Sequence, residues 1–236
     1  MMHFTKAACI KLCTSRIDHG MSKVLLQKTF HSPIPLSTVF FELKKFLSNV
    51  CIIRVNAIDI ISNIMKNIGM KNIVLTGFMG TGKSEVSQEL SKVLGWKAID
   101  VDTEIEKSQR MKITGIFKQF GEPRFRDIEA EMIKKLSKNK NVIISTGGGA
   151  VLRQENMDAL RENGVIICLT ATPETIFKRT SNNDDRPLLQ VEDPLKKIRE
   201  LLKFRMPYYA KADIMIDTEN KTPLEIAEEI IQKVSK

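Results

Sequence analysis

Histidine, cysteine and long apolar runs are all scarce in this chain of 236 residues. The three histidines, His3, His19 and His31, lie in the first stretch of the sequence, as do Cys9, Cys13 and Cys51; only Cys168 lies beyond. Cys9 and Cys13 form a CxxxC pair with no second pair to complete a zinc set, so chance spacing is the simpler reading. So few cysteines imply no disulfide framework, which fits a reducing cytoplasm. Cys168, inside the apolar run 165–169, reads as a buried thiol. No stretch approaches the roughly 18 uninterrupted apolar residues of a membrane span. The richest candidate, 50–65, is broken by Arg54, Asn56, Asp59, Ser62 and Asn63. Acidic residues are also short, 28 against 37 Lys+Arg, a net charge of +9. Most of that excess sits in residues 1–70, which hold 9 basic and 3 acidic residues. The remainder is near balance and gives no sign of a nucleic-acid-binding face.

What is present divides the chain in two. Residues 1–69 carry no motif, no clear amphipathic period over their first half, and a Ser32-Pro33-Ile34-Pro35 break. They read as an N-terminal extension: a start-site artefact or poorly ordered tail, an organelle-targeting peptide, or an accessory segment. From Met70 onward, apolar runs of strand length at 71–76, 97–101, 141–146, 164–169 and 213–217 alternate with helical patterns. The helices are expected at 83–94, 103–109, 112–120, 125–137, 153–162, 173–181, 193–206 and 222–235. Pro173 and Pro223 stand near two helix starts, where a missing N–H costs nothing. This rhythm predicts an α/β fold with a five-stranded parallel sheet flanked by helices on both faces.

The chemistry begins at Gly77-Phe78-Met79-Gly80-Thr81-Gly82-Lys83-Ser84, which fits the phosphate-loop pattern GxxxxGK[ST]. An apolar strand precedes it, and Val86, Leu90, Val93 and Leu94 follow at helical spacing. Glycines let backbone N–H groups approach phosphate oxygens, and the helix points its positive end at the same anion. Lys83 is placed to reach the β- and γ-phosphates and Ser84 to offer a hydroxyl to Mg²⁺. The second strand ends in Asp100-Val101-Asp102, at the edge where open α/β sheets bind ligands. One carboxylate suits a metal, directly or through water, and the other a substrate hydroxyl; capping the next helix is the alternative role for Asp102. The third strand runs into Gly147-Gly148-Gly149, three bare backbone N–H groups where a connection needs one glycine. Arg126, Arg186 in the polar loop 182–187, and Arg205 are candidate anion binders, although each alone reads more often as a solvated surface arginine.

Taken together, GFMGTGKS, DVD, STGGG, FRDIE, RPLL and RMPYY, in this order and spacing, resemble shikimate kinases. The resemblance covers residues 70–236 and nothing before Met70. It implies a P-loop, nucleoside-monophosphate-kinase-like fold with a substrate-binding helical segment and a lid at about 181–191. It also implies transfer of the γ-phosphate of ATP to the 3-hydroxyl of shikimate, on the route to chorismate and the aromatic amino acids. By the same resemblance Gly80, Thr81, Gly82, Lys83, Ser84 and Glu85 hold the nucleotide phosphates. Ser84 and Asp100 serve one Mg²⁺. Arg179, with Lys221 and Pro223 across from it, encloses the adenine. Asp102, Arg126, Gly147, Gly148, Gly149 and Arg205 bind shikimate, with Phe117 and Phe125 as aromatic walls, although core packing is an equal role for those two rings. Lys83, Asp102 and Arg186 are the expected catalytic residues. A cytoplasmic monomer acting on small molecules, with no nucleic acid or membrane partner, is the accompanying expectation; organelle targeting through residues 1–69 is the alternative. Two rivals remain: a kinase of the same fold with another acceptor, which would leave the GGG loop and the carboxylate-binding arginines unexplained, and a silent binding protein, which should show damage at Lys83, Asp102 or Arg186.

Overall fold

The computed structural model describes residues 71–181, 189 and 191–234. The extension 1–69, Arg186 and most of the expected lid lie outside the described residues. The strands are β1 (Asn72–Gly77), β2 (Lys97–Asp100), β3 (Val142–Ser145), β4 (Gly164–Thr170) and β5 (Ile214–Asp217). The helices are α1 (Lys83–Leu94), α2 (Val101–Gln109), α3 (Ile113–Leu136), α4 (Gln154–Asn163), α5 (Pro173–Thr180), α6 (Pro194–Tyr209) and α7 (Pro223–Val234).

The five strands pair in the order β2-β3-β1-β4-β5, every pair parallel. Strand β1 is the centre, buried over its whole length. Alternation splits its side chains between two cores, as a sheet covered on both faces requires. Ile73 and Leu75 meet Val86, Leu90 and Leu94 of α1 and Ile226, Ala227, Ile230 and Ile231 of α7. Val74 faces the larger core, with Ile105 of α2, Ile133 of α3, Leu160 of α4, Ile176 of α5 and Ile198 of α6. Asn72 ties the entry of the sheet together: its side chain donates to the Asn139 carbonyl at 2.6 Å and accepts the Val142 N–H at 3.2 Å.

Every expected strand is present within one or two residues. Pro173 and Pro223 open α5 and α7, where proline is tolerated. The two helices expected at 112–120 and 125–137 form one long element, α3, broken at Gly121, whose φ of 76° and ψ of 171° are not helical. Helix α2 begins at Val101 rather than 103 because Asp100, not Asp102, is its N-cap: Asp100 Oδ1 accepts the Thr103 N–H at 2.9 Å. The capping alternative for Asp102 is thereby removed, and its carboxylate is released for other work. Helix α6 continues to Tyr209, past the expected end at 206, and takes Pro207 into its last turn.

Candidate active site

The C-terminal ends of β1, β2 and β3 open onto a cleft of about 670 Å³. The phosphate loop forms its floor. Gly77 has φ 136°, and a Cβ there would run into the Leu169 carbonyl oxygen. Gly82, at φ 87°, stands at the N-cap of α1 and offers no side chain to the first turn, which leaves those backbone donors for a bound anion. Thr81 Oγ1 donates to the Phe78 carbonyl at 2.7 Å, and Lys83 Nζ donates to the Gly77 and Phe78 carbonyls at 2.9 and 2.8 Å. The loop is therefore held in shape by its own side chains. Gly80, Thr81, Gly82, Lys83, Ser84 and Glu85 all line the cleft, as do Asp100, Asp102, Gly147, Gly148, Arg179, Lys221 and Pro223.

The glycine triplet is where the other half of the site converges. A Cβ on Gly147 would lie 2.9 Å from Asp102 Oδ1; one on Gly148, 3.5 Å from Arg205 Nη1; one on Gly149, 2.5 Å from Arg126 Nη2. Three successive positions thus touch three different charged residues brought from α2, α6 and α3. A side chain at 147 or 149 would displace one of them. Arg126 and Arg205 do not line the cleft itself but gather around this loop. Arg126 pairs with Glu129 at 2.8 Å and Glu122 at 3.0 Å. Its guanidinium also lies 5.2 Å from the Phe125 ring centroid. Burial works against its charge, but the two glutamates outweigh burial and raise its pKa. Arg205 is buried over the Phe78 ring at 5.5 Å, and its Nε has no hydrogen-bond partner among the described residues. Phe117 and Phe125 meet as a tilted pair with centroids 4.6 Å apart, Phe125 within the core cluster and Phe117 half-buried against it.

Asp102 is unusual. Its burial, with Asp100 and Glu129 nearby, pushes its pKa up to about 6, against the weaker pull of Lys83 and Arg126. A carboxylate whose protonated and charged forms are both accessible near neutrality is suited to exchange a proton with a hydroxyl. Cys168 is the buried thiol expected, its pKa raised to about 12 by burial.

Three residues were not singled out from sequence. Glu129 is 1% exposed, and burial raises its pKa despite Arg126, Arg153 and Arg205 around it. One of its oxygens, Oε1, has no partner among the described residues. Its signal was available: an acid three positions after Arg126 shares that helix face. Tyr209 donates to the Gly148 carbonyl at 2.8 Å, one turn on from Arg205. Thr218 accepts Arg179 Nη1 at 3.0 Å on Oγ1 and Nη2 at 3.1 Å on its carbonyl; nothing in a lone Thr after β5 announces this.

For a metal, Ser84 opens α1 and Asp100 ends β2, both on the cleft. Asp100 Oδ1 is engaged by the Thr103 N–H and hydroxyl, so only its second oxygen is left for a cation. Among the described residues no cluster of three His, Cys, Asp or Glu forms a metal cage. This donor set fits Mg²⁺, which takes one or two protein oxygens and completes its octahedron with water and phosphate.

A parallel five-stranded sheet with a phosphate loop after its first, central strand, and with a cluster of charged residues beside it, defines a P-loop small-molecule kinase of the nucleoside-monophosphate-kinase-like class. The family model described as shikimate kinase matches residues 79–235. The shikimate kinase of Thermodesulfovibrio yellowstonii is 56% identical over 164 residues, 70% of this chain and 95% of that protein. That of Caldanaerobacter subterraneus is 51% identical over 163 residues, 69% and 95% of the two chains. Among solved structures, the shikimate kinase from Acinetobacter baumannii in complex with shikimate superposes with a TM-score of 0.70 at 36% identity, covering 73% of this chain and 96% of that one. The protein belongs to the shikimate kinase family, and it is an ATP-dependent kinase acting on shikimate.

Proposed function

We propose that the protein moves the γ-phosphate of ATP to the 3-hydroxyl of shikimate with the following division of labour. The observation that carries it is the glycine triplet, whose three positions abut Asp102, Arg205 and Arg126 while its first two share a cleft with Lys83 and Ser84. The first-turn N–H groups of α1 and Lys83 take the nucleotide phosphates, with Lys83 exchanging its two carbonyl partners for phosphate oxygens. Ser84, with Asp100 directly or through water, would hold Mg²⁺, which would supply positive charge to screen the phosphates. Arg205, whose Nε has no partner among the described residues, and Arg126 take the shikimate carboxylate; guanidinium groups match that planar anion. Asp102 orients the acceptor hydroxyl and receives its proton. Arg186 completes the charge neutralisation. Arg179, Lys221 and Pro223 enclose the base.

Phosphoryl transfer asks chiefly for alignment and charge neutralisation, and this arrangement supplies both from the cleft and the charged cluster beside it. The remaining expectations, a monomer working in the cytoplasm on ATP and shikimate alone, belong to the same proposal. Among the described residues no helix is long and apolar enough to cross a membrane. A coupled assay of ADP release with and without shikimate tests the reading. Release that depends on shikimate, with formation of shikimate 3-phosphate, is expected; release indifferent to shikimate would overturn it.

A further inference from the structure

The loop between β5 and α7 carries Lys221 and leads into Pro223, yet most of it is exposed and little of it is packed. Its two ends are fixed in ordinary ways. The Thr218 N–H and Oγ1 both donate to the Thr170 carbonyl, at 2.9 and 3.0 Å. Thr222 and Glu225 form a reciprocal capping box at the start of α7, with bonds of 2.8 and 3.3 Å. Between them stands Glu219, and its carboxylate serves neither end. Oε1 accepts the Thr172 N–H at 2.8 Å and the Thr172 hydroxyl at 2.9 Å; Oε2 accepts the Thr175 hydroxyl at 2.9 Å. All three donors belong to the first turn of α5 and its cap, more than forty residues earlier in the chain. The Thr172 hydroxyl in turn accepts the Thr175 N–H at 3.3 Å, so the carboxylate closes a ring of bonds on that helix end. The positive end of α5 adds to the attraction.

Helix α5 ends in Arg179 and Thr180. Arg179 reaches back to Thr218 with two bonds and to the Gly80 carbonyl of the phosphate loop at 3.3 Å. Arg179, Lys221 and Pro223 line the cleft; Glu219 does not. The carboxylate therefore acts at the start of α5 and Arg179 at its end, and together they lock the helix and the loop into one unit. We propose that Glu219 is a positioning residue for the nucleotide base: it sets the spacing between Arg179 and the 221–223 segment, the two walls between which the base is held. This inference rests on the reading of that part of the cleft as the base-binding end given above.

The effect should be confined to nucleotides that carry a base. In Glu219→Ala, the KM for ATP should rise about 5- to 10-fold, the loss of a few exposed charge-assisted hydrogen bonds. The KM for shikimate and kcat should stay within about twofold. Inorganic tripolyphosphate, which engages the phosphate loop but has no base, should inhibit wild type and Glu219→Ala with the same Ki. Glu219→Gln keeps an acceptor for the Thr172 donors and an amide for the Thr175 hydroxyl, so it should return the ATP KM to near the wild-type value. An unchanged ATP KM in Glu219→Ala overturns the proposal. So does a tripolyphosphate Ki that rises in step with the ATP KM, because that would mark general damage to the loop region. A wild-type protein that consumes ATP without regard to shikimate would sink the underlying functional reading instead, and this inference with it.

Discussion

The two halves of the candidate site are built on opposite principles. The nucleotide half is mostly backbone and mostly local: Gly77 to Glu85 is one uninterrupted stretch, shaped by positive-φ glycines and by side chains that bond to the loop's own carbonyls. The other half, around the glycine triplet, is mostly side chain and mostly long-range: Asp102, Arg126, Glu129 and Arg205 come from three helices, and the missing Cβ atoms of Gly147–Gly149 leave room for them to gather. The first half offers backbone N–H groups and one lysine to an anion that brings its own charge. The second holds buried charges that must neutralise one another until substrate arrives, and it does so incompletely, with Glu129 Oε1 and Arg205 Nε left without hydrogen bonds among the described residues. Local backbone sites are robust and cheap to specify; gathered side-chain sites are selective, and each member leans on the next.

The comparison is broken most severely at Lys83. Lys83→Ala should lower kcat at least about 1,000-fold, the scale on which single transition-state charge partners act, while shikimate binding measured by calorimetry stays within a few-fold of wild type. Loss of shikimate affinity in step with kcat would show that the two halves are not separable.

Asp102→Asn should come next, cutting turnover by about 100- to 10,000-fold because an amide cannot receive the hydroxyl proton. Arg126→Ala and Arg205→Ala should each weaken shikimate binding by about 2–4 kcal/mol, roughly 30- to 1,000-fold, and leave ATP affinity nearly unchanged. Isothermal titration with each ligand separately decides. Arginine variants that bind shikimate like wild type would return the acceptor pocket to an open question.

The smaller effects sharpen the electrostatic side of the contrast. With Asp102 titrating at about 6 in the folded, substrate-free protein, kcat/KM should fall on the acid side of that value as the acceptor of the proton is lost. The same shift has a stability consequence of definite sign. A carboxyl whose folded pKa is raised favours the native state at low pH and loses that favour as pH rises through about 6. Asp102→Asn should therefore be more stable than wild type at pH 7, by about 1–3 kcal/mol. That gain should fade between pH 6 and the ordinary aspartate value of 3.8. Chemical denaturation at pH 7.5 and pH 4.5 measures it; an equal gain at both would mean that the charge of Asp102 is not the cause.

The same contrast explains what the sequence made legible. Periodicity and punctuation located all five strands, because a sheet covered on both faces leaves plain apolar runs. The phosphate loop could be read outright, since its function lies within eight consecutive residues. Asp102 could be read from its place at the end of the second strand, but that Arg126 and Arg205 join it was reachable only through the likeness of several short segments to one family, because no spacing rule links α2, α3 and α6. Glu129 closes the FRDIE segment and shares a helix face with Arg126, but an exposed and a buried glutamate look alike in sequence; only the fold places it at 1% exposure. Asp100 and Asp102 also could not be told apart as helix caps, since the choice depends on where β2 hands over to α2.

The break at Gly121 divides α3 unequally. Its first part buries only Ile116 fully, with Ile113 and Phe117 half-buried against the core, whereas Phe125, Ile128, Glu129, Met132, Ile133 and Leu136 anchor the second. A segment with so few apolar anchors opens at a fraction of the global unfolding free energy. Its amide protons should therefore trade with deuterium well before those of 125–136. Substrate should slow that trade only if occupancy of the glycine triplet is felt across the break, so a peptide-resolved exchange experiment would time the breathing of one end of a helix against the stillness of the other.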